Sequence, residues 1–369
     1  MLSDKFVTNK ILLEYIWIGG DDNPRSKTKI CSRELFDINS LPDWNFDGSS
    51  TGQAEGTDSD VLIRPRATYP NPFVSYIESY LVMCDCWNKD GTPHKTNNRV
   101  KLVETYSKCE DQEPIFGIEQ EYVLFDRKYT SDKGLKIIDF GDGSSGGYSI
   151  PTPYQWIKHD EPGMGPQGPY YCGVGGGVSL GREISASHLE MCLKTGLEIC
   201  GTNAEVMASQ WEYQIGPLSP VKLCDQMWIS RYILHRVSEQ FGCVVSLHPK
   251  PYKGDWNGSG AHTNFSTRVM REPGGIDEIK IGCVKLSKNH QTHMEVYGRY
   301  NEERMSGVHE TSSMDKFTWA VSNRGCSVRI PLNVVNEGCG YLEDRRPGAN
   351  SDPYLVSEKI CSTICLNNY

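Results

Sequence analysis

No apolar run in the 369-residue chain approaches the roughly 20 residues that a membrane-spanning helix needs, so no membrane partner is expected. A recognisable leader is missing too. The N-terminal run MLSDKFVTNKILLEY has neither the apolar centre of a secretory signal nor the Arg/Ser bias of a transit peptide, which gives a cytoplasmic expectation. Positive charge is in deficit: 38 Lys and Arg face 47 Asp and Glu, and the net charge of −9 argues against a general nucleic-acid binder. Zinc-site cysteine spacing is absent, because the 14 cysteines are scattered and no two CxxC units occur. The closest pair, Cys84 and Cys86, falls in a predicted strand, and the thiols are expected to be reduced and mostly buried. There is no internal repeat and no low-complexity tail. What remains is 38% hydrophobic content over a length that supports a large core and about two domains.

The first hundred residues read as strand-rich. Apolar alternation at 14–19 and 27–31 flanks GDDNP (20–24), a hairpin signal. A strand over 44–46 leads into the turn-rich 47–56, and 80–87 is a further strand closed by Asp90 and Gly91. The spacing predicts a helix over 100–109. Beyond Glu119 the pattern changes. Residues 141–147 and 151–169 are rich in Gly, Pro and Ser and read as loops. Residues 182–200 read as a helix with Ile184, Leu189, Leu193 and Leu197 on one side; 221–241 read as a stronger one, striped by Leu223, Met227, Leu234, Val237 and Phe241. A short strand over 244–248 ends at Pro249, and 276–298 reads as a polar-faced helix. Strands separated by long helices give an α+β or α/β catalytic part.

The chemistry gathers in four stretches. In NAEVMASQWEYQIG (203–216), Trp211, Tyr213 and Ile215 point one way and Glu212 and Gln214 the other, with Glu205 before a bend at Ala208 and Ser209. In GIEQEYVLF (117–125), period two puts Glu119 and Glu121 on one face; in YLEDRRP (341–347) it pairs Glu343 with Arg345. GDWNGSGAHTNFS (254–266) is a glycine-rich loop running into His262, where Gly258 and Gly260 allow close backbone approach. Converged, these supply five carboxylates and one imidazole. Two like charges about 4 Å apart repel by roughly 4 kcal/mol at an effective dielectric near 20, so the set calls for divalent cations. Oxygen ligands with a single histidine favour Mg²⁺ or Mn²⁺ over Zn²⁺. Taken singly, the same residues have plainer readings: His262 as a satisfied loop histidine, Asp47 as the cap of an Asx turn, and each arginine as half of a surface ion pair.

Nine runs, in order, resemble eukaryotic-type glutamine synthetase: DGSSTGQAEG (47–56), GIEQEY (117–122), GPQGPYYCGVG (165–175), GTNAEVM (201–207), QWEYQIGP (210–217), HPKPYKGDWNGSGAHTNFS (248–266), HETSS (309–313), NRGCSVRIP (323–331) and YLEDRRP (341–347). The resemblance covers the chain from about 15 to 353. It implies an α+β fold, with a small N-terminal β-grasp domain over 1–105 and a large α/β catalytic domain over 106–369 whose antiparallel sheet lines the site. It implies ATP-dependent ligation of ammonia to L-glutamate through a γ-glutamyl phosphate. It assigns one metal ion to Glu121, Glu205 and Glu212 and another to Glu119, His262 and Glu343, within a complement of two or three Mg²⁺ or Mn²⁺. Substrate binding falls to Ser50, Tyr171, Glu212, Asn257, Gly258, His262, Arg304 and Arg345, and the ATP side to Asn264, Ser266, Arg324, Arg329 and Tyr341. Asp47 would take a proton from ammonium, Glu310 would close over the site, and Arg324 would join them among the catalytic residues; Arg346 reads as structural. The implied assembly is a homodecamer of two stacked five-membered rings with sites shared between neighbouring subunits. Two rivals use the same scaffold: a ligase for a larger amine, and a non-catalytic assembly protein. A third, a divalent-metal phosphohydrolase, would need neither an amino-acid pocket nor a closing acid. The chain departs from the family pattern over 128–164 and on the exposed side of 182–200.

Overall fold

A computed structural model describes residues 9–35, 37, 40–126, 136–139, 145–149, 168–175 and 178–367. The predicted hairpin is β1 (Lys10–Ile18) against β2 (Pro24–Ser32), in register from Lys10↔Ser32 to Ile18↔Pro24. β3 (Trp44–Asp47), β4 (Asp60–Pro70) and β5 (Ser79–Trp87) complete a five-stranded sheet of order β2-β1-β5-β4-β3. Period two decides what each face of β1 buries. Ile11, Leu13, Tyr15 and Trp17 pack with Phe46, Ile63 and Val82 in a core of their own, while Ile16 joins Leu81 and Met83 in the larger core. β4 is a strand that the sequence reading does not contain. Pro65 argues against an interior strand, but it sits where the β4–β5 register shifts between Pro65 and Ala67, and a bulge tolerates a residue without an N–H.

α1 (Asn98–Tyr106) starts at Asn97, whose side chain accepts from the N–H of Val100. The large sheet follows. It opens with β6 (Ile115–Asp126); β7 (Lys136–Asp139) and β8 (Ser145–Ser149) then form a separate two-stranded sheet. Then come α2 (Arg182–Thr195), β9 (Ile199–Ala204), β10 (Gln210–Leu218), α3 (Pro220–Phe241), β11 (Cys243–Ser246) and β12 (Ala261–Ser266). The chain continues through α4 (Arg268–Arg271), α5 (Ile276–Lys288), α6 (His290–Met294), α7 (Asn301–Arg304), β13 (Trp319–Val321), β14 (Val328–Ile330), α8 (Leu332–Glu337), β15 (Leu342–Asp344) and α9 (Pro353–Ile364). The sheet order is β13-β14-β15-β12-β6-β10-β9, with β11 on the far end of β6. Every pairing in it is antiparallel except β13 with β14. The α+β class holds.

Four expectations need correction. α2 stops at Thr195, where Gly196 takes a left-handed φ of 79°. Its buried side is Ile184, Ser185, His188, Cys192 and Thr195, and Leu193 is 55% exposed. Leu189 lies five residues past Ile184, off the 3.6-residue repeat, whereas His188 and Cys192 fall beneath it. On α3, Leu223, Met227, Leu234 and Val237 are buried as expected, but the terminal Phe241 is exposed. The helix expected over 276–298 breaks at Asn289 into α5 and α6. Of the loops expected over 141–147 and 151–169, part of the first belongs to β8; the second up to residue 167, like most of the divergent 128–164, lies outside the described residues.

α3 ties the two sheets together. Tyr232 Oη donates to Glu14 of β1 at 3.3 Å, and Arg99 forks onto both oxygens of Asp225 at 2.9 Å. A bidentate pair this buried fixes orientation as well as distance.

Candidate active site

Strand register, rather than loop folding, assembles the acidic wall. In β6 and β10, Glu121 lies directly opposite Glu212, and Glu119 opposite Gln214. On the other side of β6, Glu119 lies opposite His262 of β12, and β12 carries Asn264 opposite Glu343 of β15. Like charges placed opposite each other are destabilising, so the register is intelligible only if the face serves another charge. Glu205 reaches the group from the turn between β9 and β10. There Ser209 adopts φ 56°, and the carboxylate accepts from Asn203 Nδ2 and the N–H of Val206, both at 3.0 Å.

Glu119, Glu121, Glu205, Glu212, His262 and Glu343 line a cavity of about 280 Å³, together with Tyr171, Asn257, Gly258, Arg304, Glu310, Arg324, Arg329 and Arg345. Tyr171 is placed by the neighbouring Cys172, whose N–H donates to the carbonyl of Ala204. Glu121 is clamped by Gly260, whose N–H donates to its carboxylate at 2.7 Å and whose carbonyl accepts its N–H at 3.0 Å. The glycines open room for the protein's own side chains. A Cβ at Gly258 would collide with Arg304, and one at Gly260 would stand 2.9 Å from His262 Nε2.

The electrostatics match the register. Burial, and then the Glu205 charge, push Glu121 up to about 8. Burial pushes Glu205 up to about 7. Burial, Glu121 and Glu119 push Glu212 up to about 9. Burial and Arg345 keep His262 neutral. Its Nδ1 stands 3.6 Å from Glu119, 3.8 Å from Glu343 and 4.0 Å from Glu121, so the ring is central to the group. Ligand atoms of Glu119, Glu212 and His262 all lie within 4.8 Å of one another, and this oxygen-rich donor set fits a hard divalent cation. Glu343 is compensated differently, accepting from Arg329 Nε and, at 2.6 Å, from Arg345 Nη1.

Arginines stand among the carboxylates in the lining. Arg304 is fully committed in orientation: its Nη2 donates to the carbonyls of Arg345, Arg346 and Pro347 at 3.0, 2.7 and 3.1 Å. Arg345 also donates from Nε to the Arg324 carbonyl at 3.1 Å and from Nη2 to the Glu310 carbonyl at 3.4 Å.

Some expected site residues do not line the cavity. Asn264 lies at its edge, donating to Glu119 at 2.8 Å. Ser266 lies two residues further along the same face, where its hydroxyl accepts from Arg271 at 3.0 Å. Tyr341 is not among the lining residues; burial, and then the Glu119 and Glu343 charges, raise its hydroxyl. Asp47 ends β3 and Ser50 lies in the helical turn after it, both exposed and outside this cavity. Asp47 accepts from Ser49 and Ser50 hydroxyls at 2.6 Å each, and these bonds hold it at about 2.

Sequence reading missed the amides. Gln210 Nε2 donates to Glu121 at 3.3 Å and to the Gly258 carbonyl at 2.9 Å; Gln214 donates to Glu212 and, at 2.8 Å, to Asn203. Shared parity with Glu212 was a signal for both glutamines. His309 and Thr311, beside Glu310, also line the cavity.

Fold and site define an α+β protein with an acidic pocket on antiparallel strands, lined also by arginines and suited to divalent cations. Comparison with known proteins gives the family. A model of the glutamine synthetase catalytic domain matches residues 95–278. The chain is 48% identical to glutamine synthetases of Kluyveromyces lactis and Saccharomyces cerevisiae, over 96% of its own length and 89% and 90% of theirs. A cryo-EM structure of Plasmodium falciparum glutamine synthetase superposes with a TM-score of 0.73 at 17% identity, covering 96% of this chain and 71% of that one. The chain belongs to the glutamine synthetase family, of the eukaryotic type.

Proposed function

We propose that the protein is a glutamate–ammonia ligase, which couples cleavage of ATP to ADP and phosphate with formation of L-glutamine. One observation carries the reading: carboxylates, an imidazole and arginines line a single cavity. A carboxylate is a poor acyl donor, since its leaving group would be oxide. Transfer of the terminal phosphoryl group of ATP to the side-chain carboxylate of glutamate gives an acyl phosphate, and ammonia displaces phosphate from it.

Two or three Mg²⁺ or Mn²⁺ ions, held by Glu121, Glu205 and Glu212 and by Glu119, His262 and Glu343, would supply charge neutralisation for the transferring phosphoryl group. The chain's own residues do the rest. Arg324 and Arg329 bind the ATP phosphates, with Asn264, Ser266 and Tyr341 on the nucleotide side. Arg304 and Arg345 orient glutamate beside Asn257 and Gly258. Tyr171 and Glu212 complete the ammonium pocket. Glu310 covers the acyl phosphate against water and accepts a later proton. Asp47 and Ser50 act from a neighbouring subunit, where Asp47 attracts ammonium and takes its proton. Held at about 2, Asp47 is a weak base, and it gains strength as its serine bonds open.

The same reading makes the molecule a cytoplasmic homodecamer of two stacked rings. It divides the chain near residue 105, in the interval between the five-stranded and eight-stranded sheets. The test is glutamate-dependent ADP release with and without ammonium, repeated with polyamines. Release that needs glutamate and yields glutamine with ammonium is the expected result. A preference for a polyamine would transfer the reading to the larger-amine rival, and release without glutamate would end it.

A further inference from the structure

Glu310 rides on the segment 306–313, whose neck is closed by a Ser306↔Ser313 bridge and by the Met314 N–H donating to the Met305 carbonyl at 2.9 Å. Next to that neck, the Met314 carbonyl stands 2.7 Å from Nε2 of His290, the first residue of α6. The other ring nitrogen of His290 stands 3.1 Å from Arg346 Nη1. A guanidinium nitrogen only donates, so Nδ1 of His290 must accept and carries no proton. The ring proton is therefore on Nε2, and it is given to the Met314 carbonyl. Arg346 is in turn locked, donating to Asp344 from Nε at 2.8 Å and from Nη2 at 2.6 Å, with neither side chain exposed. Asp344 is the last residue of β15, between Glu343 and Arg345 in the chain.

We infer that His290 is a positioning residue for the Glu310 segment: a neutral spacer of fixed tautomer that ties the neck of 306–313 to the rigid Asp344–Arg346 pair behind β15. This assigns a role to an imidazole that touches neither cavity nor substrate. It deepens the proposed ligase reading, since the height of Glu310 above the cavity matters only if an acyl phosphate must be covered.

Two conservative variants separate the halves of the spacer. His290→Gln keeps a donor at the distance of Nε2 and loses the acceptor toward Arg346. His290→Asn keeps an acceptor at the position of Nδ1 and cannot reach Met314. His290→Ala removes both. Amide hydrogen exchange over 305–314 in the ligand-free enzyme should be about tenfold faster in the Asn and Ala variants and close to wild type in Gln, while β15 is unchanged. Exchange in Asn equal to that in Gln overturns the inference, and the two polar variants decide it even if Ala does not fold. Phosphate released per glutamine formed is the second readout. It should stay at unity in wild type and Gln and rise about twofold or more in Asn, where water reaches the acyl phosphate. Faster exchange with a ratio still at unity supports the positioning by His290 and overturns the shielding role given to Glu310 in the proposed function.

Discussion

Arg345 shows how much one side chain is asked to do. Its three nitrogens serve Glu343, the Arg324 carbonyl and the Glu310 carbonyl, and it faces the cavity as well. A lysine keeps the charge and loses the fork. Hydrogen bonds to charged groups are worth about 1.5–3 kcal/mol each, so Arg345→Lys should cut kcat/KM for glutamate by roughly 10- to 100-fold or more. Steady-state kinetics over a glutamate series reads this, and an unchanged kcat and KM would remove Arg345 from the substrate set. Glu121 makes the opposite case. Burial and the Glu205 charge push its carboxylate up to about 8, so a bound cation stabilises the ionised form. Glu121→Gln should therefore melt no lower than wild type in the metal-free state, yet gain much less Tm on adding Mn²⁺. A variant that melts lower while keeping the full Mn²⁺ effect would mark Glu121 as structural.

Among the elements, strands were the more legible, and the reason is their two-residue period. Once Glu119, Glu121, Glu212, Glu343 and His262 each have a parity, antiparallel register does the rest. β4 was hidden because Pro65 argues against a strand unless its bulge is known, and the bulge depends on β5. α2 was misread because its buried side is polar. Ser185 meets Thr202 at 3.0 Å, and His188 Nε2 donates to the Ser230 carbonyl at 3.1 Å, partners that come from β9 and α3 and leave no local trace. That side yields a pH prediction. Burial lowers His188 from the ordinary 6.5 to about 4, so between those values the unfolded chain takes up a proton that the folded chain refuses. The His188 contribution to stability is thus complete above pH 6.5 and declines as pH falls, by roughly 3 kcal/mol at pH 4. His188→Gln lacks this linkage. Denaturant titrations should find the stability difference between wild type and variant moving against the wild type by that amount from pH 6.5 to 4; a pH-independent difference would contradict it.

For the whole molecule, the telling fact is the distance between parts. Asp47 is ready-made, both its oxygens engaged, on a sheet that keeps it out of the chain's own cavity. If a neighbour supplies it, Asp47→Ala and Glu205→Ala chains are each nearly inactive, and rings co-assembled from equal amounts of the two should regain about a quarter of the sites, the chance that an intact Asp47 meets an intact Glu205. Verified mixed rings without recovery, or a fully active monomer, would count against sharing. One further feature bears on how such an assembly keeps time. His309 and Glu310 stand side by side in left-handed backbone, at φ 56° and 61°, a posture that costs a non-glycine residue about 1–2 kcal/mol. The segment over the cavity is thus a cocked spring rather than a hinged door. Arg345 Nη2, donating to the Glu310 carbonyl at 3.4 Å, helps hold it in that posture, and if the segment closes over substrate as proposed, the strain in two residues favours its release once that contact slackens.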